Sequence, residues 1–256
     1  MKKSELVKYM NEYLDIEKFD DSSKNWLQVD NIKTEIKKIW YAVDATSYIF
    51  DKAIKENVDM IITHHGLFWW FEQVLVWIPF ERIKKLIENN IALVAYHLPL
   101  DAHNEVWNNI WLAKEFVKVF DIENYELESI LEYKGNNIWF WIKFDKKISI
   151  EDIKNNYFPK MKLIDEIYDF WNKKEISSIA FCSGGAGSEV WKIKDLWYDF
   201  YITWEWAHHE KTLAKELGQS IAYAGHYETE KVWPELLAKH LNEKFGIEIV
   251  FIDERY

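Results

Sequence analysis

Between Lys38 and Phe120 the chain alternates between two hydrophobic rhythms. KIWYAVDAT (38–46) is a nearly continuous apolar run ending on Asp44, and the YIFDKAIKEN that follows carries its apolar residues at helical spacing, with Ser47 placed to cap it. DMIIT (59–63) is a short run of the buried-strand type that leads straight into His64 and His65. Pro79 suits the first turn of a helix through PFERIKKLIENN, followed by a strand, IALVAY, and a helix from about Asn104 to Phe120. Strands separated by helices of this length predict a parallel, doubly wound sheet.

After DIENYELES the rhythm changes. NNIWFWIKF alternates like an antiparallel strand behind a Gly135–Asn136 turn, ISIEDIKNNYF has helical spacing, and MKLIDEIYDF reads as a further strand. The parallel style returns in SSIAFC, DFYIT, SIAYAG and IEIVFID, with helices between them. The expectation is an α/β protein of two interlocked lobes on mostly parallel sheets with flanking helices. Residues 1–125 form the first lobe, with His64, His65 and Asp101, and residues 126–220 a second, α+β lobe. Residues 221–256 return to the first lobe with His226 and Glu230.

Composition narrows the function classes. The net charge of -11, with no basic stripe beyond Lys-rich helix faces at Lys33–Lys38 and Lys84–Lys85, disfavours direct nucleic-acid binding. Cys182 is the only cysteine, so a disulfide-stapled secreted scaffold is excluded and a reducing cytoplasm fits. The N-terminus lacks the apolar segment of a secretion signal, and no apolar run is long enough to span a bilayer.

Four strand ends carry ligand-type side chains: His64–His65, His97 with Asp101, Glu205 with His208–His209, and His226 with Glu230. In open parallel sheets ligands bind at the carboxyl ends of strands. Adjacent side chains on an extended backbone point oppositely, so His64 and His65 suit two different ions better than one. His226 and Glu230, four apart at a helix start, would share a face, and a carboxylate can bridge two cations. Each pair alone is also what a hydrogen-bonded strand end or a helix surface gives; their recurrence at one kind of position is what favours metal. CSGGAGSEV (182–190) reads as a tight βα turn, since the Walker spacing and its lysine are missing; a phosphate cradle on backbone N–H groups is the other reading. Cys182 reads as a small core residue at a strand end.

NWLQVD, DMIITHHGLFW, YHLPLDAH, SGGAGS, YITWEWAHH and GHYETE, in this order and spacing, resemble the motifs of the Nif-three-like family, also called dinuclear metal-centre hexameric proteins or GTP cyclohydrolase I type 2 homologues. The resemblance covers nearly the whole chain and its short form, without an inserted domain. It implies two divalent ions, Zn, Fe, Mn or Co: His64 and His226 on one, His65 and Asp101 on the other, Glu230 on both. It also implies a toroidal hexamer, a trimer of dimers. His97 would stand near the ions as an acid/base residue, although Leu-Pro follows it where the family commonly has Thr-Asn. Glu205 and His209 are further pocket candidates, for ligand orientation or proton transfer. The function implied is a metal-dependent hydrolase acting on a small molecule such as a nucleotide; the alternative is a non-catalytic metal-bearing scaffold that binds a protein partner.

One count is abnormal. At about 7% usage roughly 18 glycines are expected in this length, yet the chain has 8 glycines and 15 tryptophans. Several tryptophans fall where the family motifs hold glycine: Trp26 in NWLQV, Trp40 in KIWYAVDAT, Trp204 and Trp206 in YITWEWAHH. Both deviations have one cause if UGA codons that specify glycine have been read as tryptophan. In that case several tryptophans should occupy turns, exposed positions or left-handed backbone, whereas a Trp-rich core should bury them all.

Overall fold

The computed structural model describes all residues except 72, 104–107, 131, 134–135, 183–184 and 252–256, and only the backbone of 108, 132–133 and 136–137. The chain divides into two compact units, Met1–Val106 with Lys231–Tyr256, and Trp107–Glu230.

The first unit is built on a five-stranded sheet in the order Trp26–Val29, Ala92–Ala95, Met60–His65, Lys38–Asp44, Glu248–Phe251. All neighbours are parallel except the Trp26–Val29 edge, which runs antiparallel. The three central strands are buried along almost their whole length, as their unbroken apolar runs require. Helices Ser47–Lys55 and Trp77–Glu88 supply Ile49, Phe50, Ala53 and Leu86 to a core with Trp40, Ala42, Ile61 and Leu93. Thr46, rather than the expected Ser47, caps the first of these helices, accepting the Ile49 N–H at 3.3 Å. Lys33–Lys38 forms no helix face: it lies on the connection into the Lys38–Asp44 strand, where the Asp59 carboxylate accepts the Lys37 and Lys38 N–H groups at 2.8 and 3.0 Å.

The second unit holds a six-stranded sheet ordered Tyr125–Ser129, Phe140–Ile148, Ile176–Phe181, Phe200–Thr203, Ser220–Tyr223, Glu166–Tyr168. Its central three strands are parallel and its outer ones antiparallel. The helix Asn108–Val119 inserts Leu112, Ala113 and Phe116 into the core formed with Ile142, Phe144 and Phe181. That packing puts the first unit boundary at Val106, ahead of the expected position after residue 125. Ser220–Tyr223 is hydrogen-bonded inside the six-stranded sheet, so the strand, with the His226–Glu230 helix behind it, groups with the second unit. The chain then returns to the first unit through the helix Val232–Phe245 and the strand Glu248–Phe251. The expected Gly135–Asn136 turn falls partly outside the described residues; the backbone around it pairs Glu132–Tyr133 with Asn136–Asn137. No described helix is long and apolar enough to cross a membrane.

The tryptophans are not all core residues: among the described ones Trp69, Trp111, Trp171 and Trp206 are half-buried, and the rest lie at the two extremes. Trp40, Trp139, Trp141, Trp204 and Trp233 are buried, as core aromatics are. Trp26, Trp70, Trp77, Trp191 and Trp197 are exposed, and Trp77 and Trp197 have left-handed backbone, φ 52° and 62°.

Candidate metal centre

The parallel register of the first unit decides which residues meet at its carboxyl edge. Asp44 pairs with His65, and Thr63 with Ala95, so the exits of three strands bring Asp44, His64–His65 and the Tyr96–His97 segment together. The short helix Leu98–Asp101 follows at once and carries the buried Asp101.

Three imidazoles here are held in the same way. His64, fully buried, donates Nδ1–H to the Tyr96 carbonyl at 3.0 Å; His65 donates Nδ1–H to Asp44 Oδ1 at 2.8 Å; His97 donates Nδ1–H to Asp21, 3.0 and 3.2 Å from its two oxygens. An oxygen acceptor at Nδ1 selects the tautomer whose lone pair is on Nε2, the arrangement that metal-binding histidines show. One ring nitrogen from each of the three lies within 4.8 Å of the others. Strand alternation would send His64 and His65 to opposite faces, but at the strand's end their rings turn together, centroids 4.6 Å apart. Asp101 Oδ1 stands 3.8 Å from His64 Nε2, too far for a hydrogen bond and close to the separation of two donors each about 2.1 Å from one ion. Imidazole nitrogens with a buried carboxylate form a donor set that suits Zn, Fe, Mn or Co.

Asp21 was not visible as a site residue in the sequence, where DDSSKN is an aperiodic polar loop. Burial opposes its ionisation, but the hydrogen bond from His97, with further donors from Asn25 and Ser23, outweighs burial and holds the carboxyl well below its ordinary range. Asp44 was legible as a polar strand end, though not as the partner of His65.

In the second unit Gly225, at φ 89°, turns the chain from the Ser220–Tyr223 strand into the His226–Glu230 helix. A Cβ there would press on the Ile164 side chain and the Glu228 carboxylate. The i,i+4 spacing brings His226 Nε2 to 2.8 Å from the buried Glu230 Oε1, while His226 Nδ1 meets the Glu205 carboxylate. Burial lowers the His226 pKa, but the bond to Glu230 and the charges of Glu230 and Glu205 outweigh it and raise it to about 9. A divalent cation at Glu230 and His226 would compete with that proton for the same atoms. Beside the pair lies a cleft of about 340 Å³, lined among others by Glu166, Glu205, Tyr223 and His226. Trp204 is buried against His226, ring centroids 5.7 Å apart, and Trp206 Nε1–H bonds Glu166 at 3.1 Å. His208 and His209 begin the helix His208–Leu217 as exposed residues, and His209 does not line the cleft.

Of the glycine-rich turn, Ser183 and Gly184 lie outside the described residues, so the phosphate-cradle reading has no described geometry. Gly187 opens a three-residue turn into the short helix Val190–Asp195, and Cys182 is buried.

A curated protein of Archaeoglobus fulgidus named "GTP cyclohydrolase 1 type 2 homolog" is 35% identical over 253 residues, covering 99% of this chain and 98% of its own. A protein of Pyrococcus horikoshii with the same name is 36% identical over 254 residues, with the same two shares. A crystal structure of a Thermus thermophilus protein superposes with a TM-score of 0.84 at 31% identity, covering 100% of this chain and 99% of that one. The profile of the family described as Duf34/NIF3 (NGG1p interacting factor 3) matches residues 1–255, and the chain belongs to that family.

Proposed function

We propose that the protein is a dinuclear metal-dependent hydrolase acting on a small molecule, with a purine nucleotide as the substrate class indicated by the name its curated relatives carry. The observation that carries the metal reading is the shared tautomer of His64, His65 and His97, each fixed at Nδ1 by a protein oxygen. On this reading His64, His65, Asp101, His226 and Glu230 are the ligands of two divalent ions. Such a pair of ions lowers the pKa of bound water towards about 7 and stabilises developing negative charge.

The protein's own groups do the rest. Glu205 steadies His226 through Nδ1, and its exposed carboxylate at the cleft is placed to orient substrate or take up a proton. His209, exposed at a helix start, takes part only if substrate reaches it. The exposed apolar stretch from Trp70 to Phe80, with Val74 at 73% and Ile78 at 63% accessible, is surface that a hexamer would cover.

Turnover on a nucleotide panel tests the reading: hydrolysis by the metal-loaded protein that disappears in Glu230→Ala supports it. A loaded protein inert towards every nucleotide would leave a metal-bearing scaffold instead.

A further inference from the structure

We propose that the natural protein carries glycine where this sequence has Trp77 and Trp197, each encoded by a UGA codon. The inference stands on the backbone at these two positions and is independent of the metal reading.

Among the described residues six helix ends close with the same pair of bonds, one from a left-handed residue to the carbonyl three back and one from its successor to the carbonyl five back. The left-handed residues are Asn57, Asn90, Asp121, Lys162, Trp197 and Gly218. The pair satisfies carbonyls that a helix end leaves open, and it needs its first donor at positive φ, where glycine is favoured because it has no Cβ to clash. Trp197 repeats the Gly218 geometry. Its N–H reaches the Lys194 carbonyl at 3.0 Å and the Tyr198 N–H the Ile193 carbonyl at 3.4 Å, against 3.1 and 2.9 Å at Gly218, with φ 62° at both. Ile193 and Tyr198, the positions that such an end commonly brings into apolar contact, are both buried, whereas the Trp197 indole is 72% exposed. The turn uses the backbone of residue 197 and the side chains of its neighbours, and the indole adds little.

Trp77 opens the helix Trp77–Glu88 at φ 52°, directly after the extended Val76, and is 84% exposed. Asp15 holds the same region, φ 49°, just ahead of the turn Ile16–Lys18. The comparison with the other left-handed residues isolates the two tryptophans. Asp15, Asn57, Asn90, Asp121 and Asn172 carry short polar side chains that bond locally and so tolerate this region; of the remaining three non-glycine residues one is Lys162 and two are tryptophan. A bulky side chain is an outlier there. The sequence is also short of the residue that both positions favour, with 8 glycines where about 18 are expected. UGA lies a single base from the tryptophan codon UGG and from the glycine codon GGA, so one reassigned codon accounts for both residues. The buried tryptophans have no left-handed backbone and carry no part of the inference.

The test is the codon at each position, together with tandem mass spectrometry of the peptides that span residues 77 and 197 in the protein isolated from its native cell. UGA at both positions and glycine in both peptides are the expected result. UGG at either position, or tryptophan at either position of the native peptides, overturns it.

Discussion

At the scale of single residues, the backbone states which side chains it tolerates. A left-handed residue other than glycine costs about 1–2 kcal/mol, and Trp197 gains little from burial to offset it. Trp197→Gly should therefore raise stability by about 1 kcal/mol, read as a higher midpoint in urea with unchanged slope. Trp233→Gly, by contrast, empties a fully buried volume in the first unit and should cost about 3–5 kcal/mol by comparison with large-to-small core changes. The contrast shows what was legible beforehand. The surplus of tryptophan was visible in a count, but which of them sit on left-handed backbone was not, because helix-end geometry depends on where each helix stops. Likewise His64, His65, His226 and Glu230 announced themselves by residue type and spacing, whereas Asp21 reaches His97 across 76 positions and leaves no periodic trace.

At the scale of elements, polar groups fasten the strands that carry the site. Asp59 accepts Lys33 Nζ at 2.6 Å and the two N–H groups that start the Lys38–Asp44 strand. Burial opposes its charge, but the Lys33 bond and the strand N–H groups outweigh burial and lower its pKa below the ordinary 3.8. The stabilisation is thus complete above the unfolded-state value and is lost as pH falls through the lowered folded value. Asp59→Asn should cost about 1–3 kcal/mol near neutral pH, with the gap to wild type closing in acid; a gap that widens as pH falls would refute the linkage. The alternation of apolar strands and helical spacing anticipated the parallel core of both sheets. It missed the Trp26–Val29 and Tyr125–Ser129 edges, whose half-exposed residues carry little hydrophobic signal. It also overextended MKLIDEIYDF, of which only Glu166–Tyr168 pairs.

At the scale of the whole molecule, the exposed apolar stretch from Trp70 to Phe80 bears on the proposed assembly. A hexamer should appear as six times the chain mass in light scattering, and charged substitutions such as Val74→Asp with Ile78→Asp should reduce it to smaller species without unfolding; a monomer in the wild type would contradict the assembly. The central claim concerns the ions. The most direct measurement is metal content per folded chain by elemental mass spectrometry, for wild type and Glu230→Ala side by side. The account predicts about two divalent ions per chain in the wild type and fewer in the variant. A folded wild-type protein that retains no metal when purified and takes none up when supplied would contradict it.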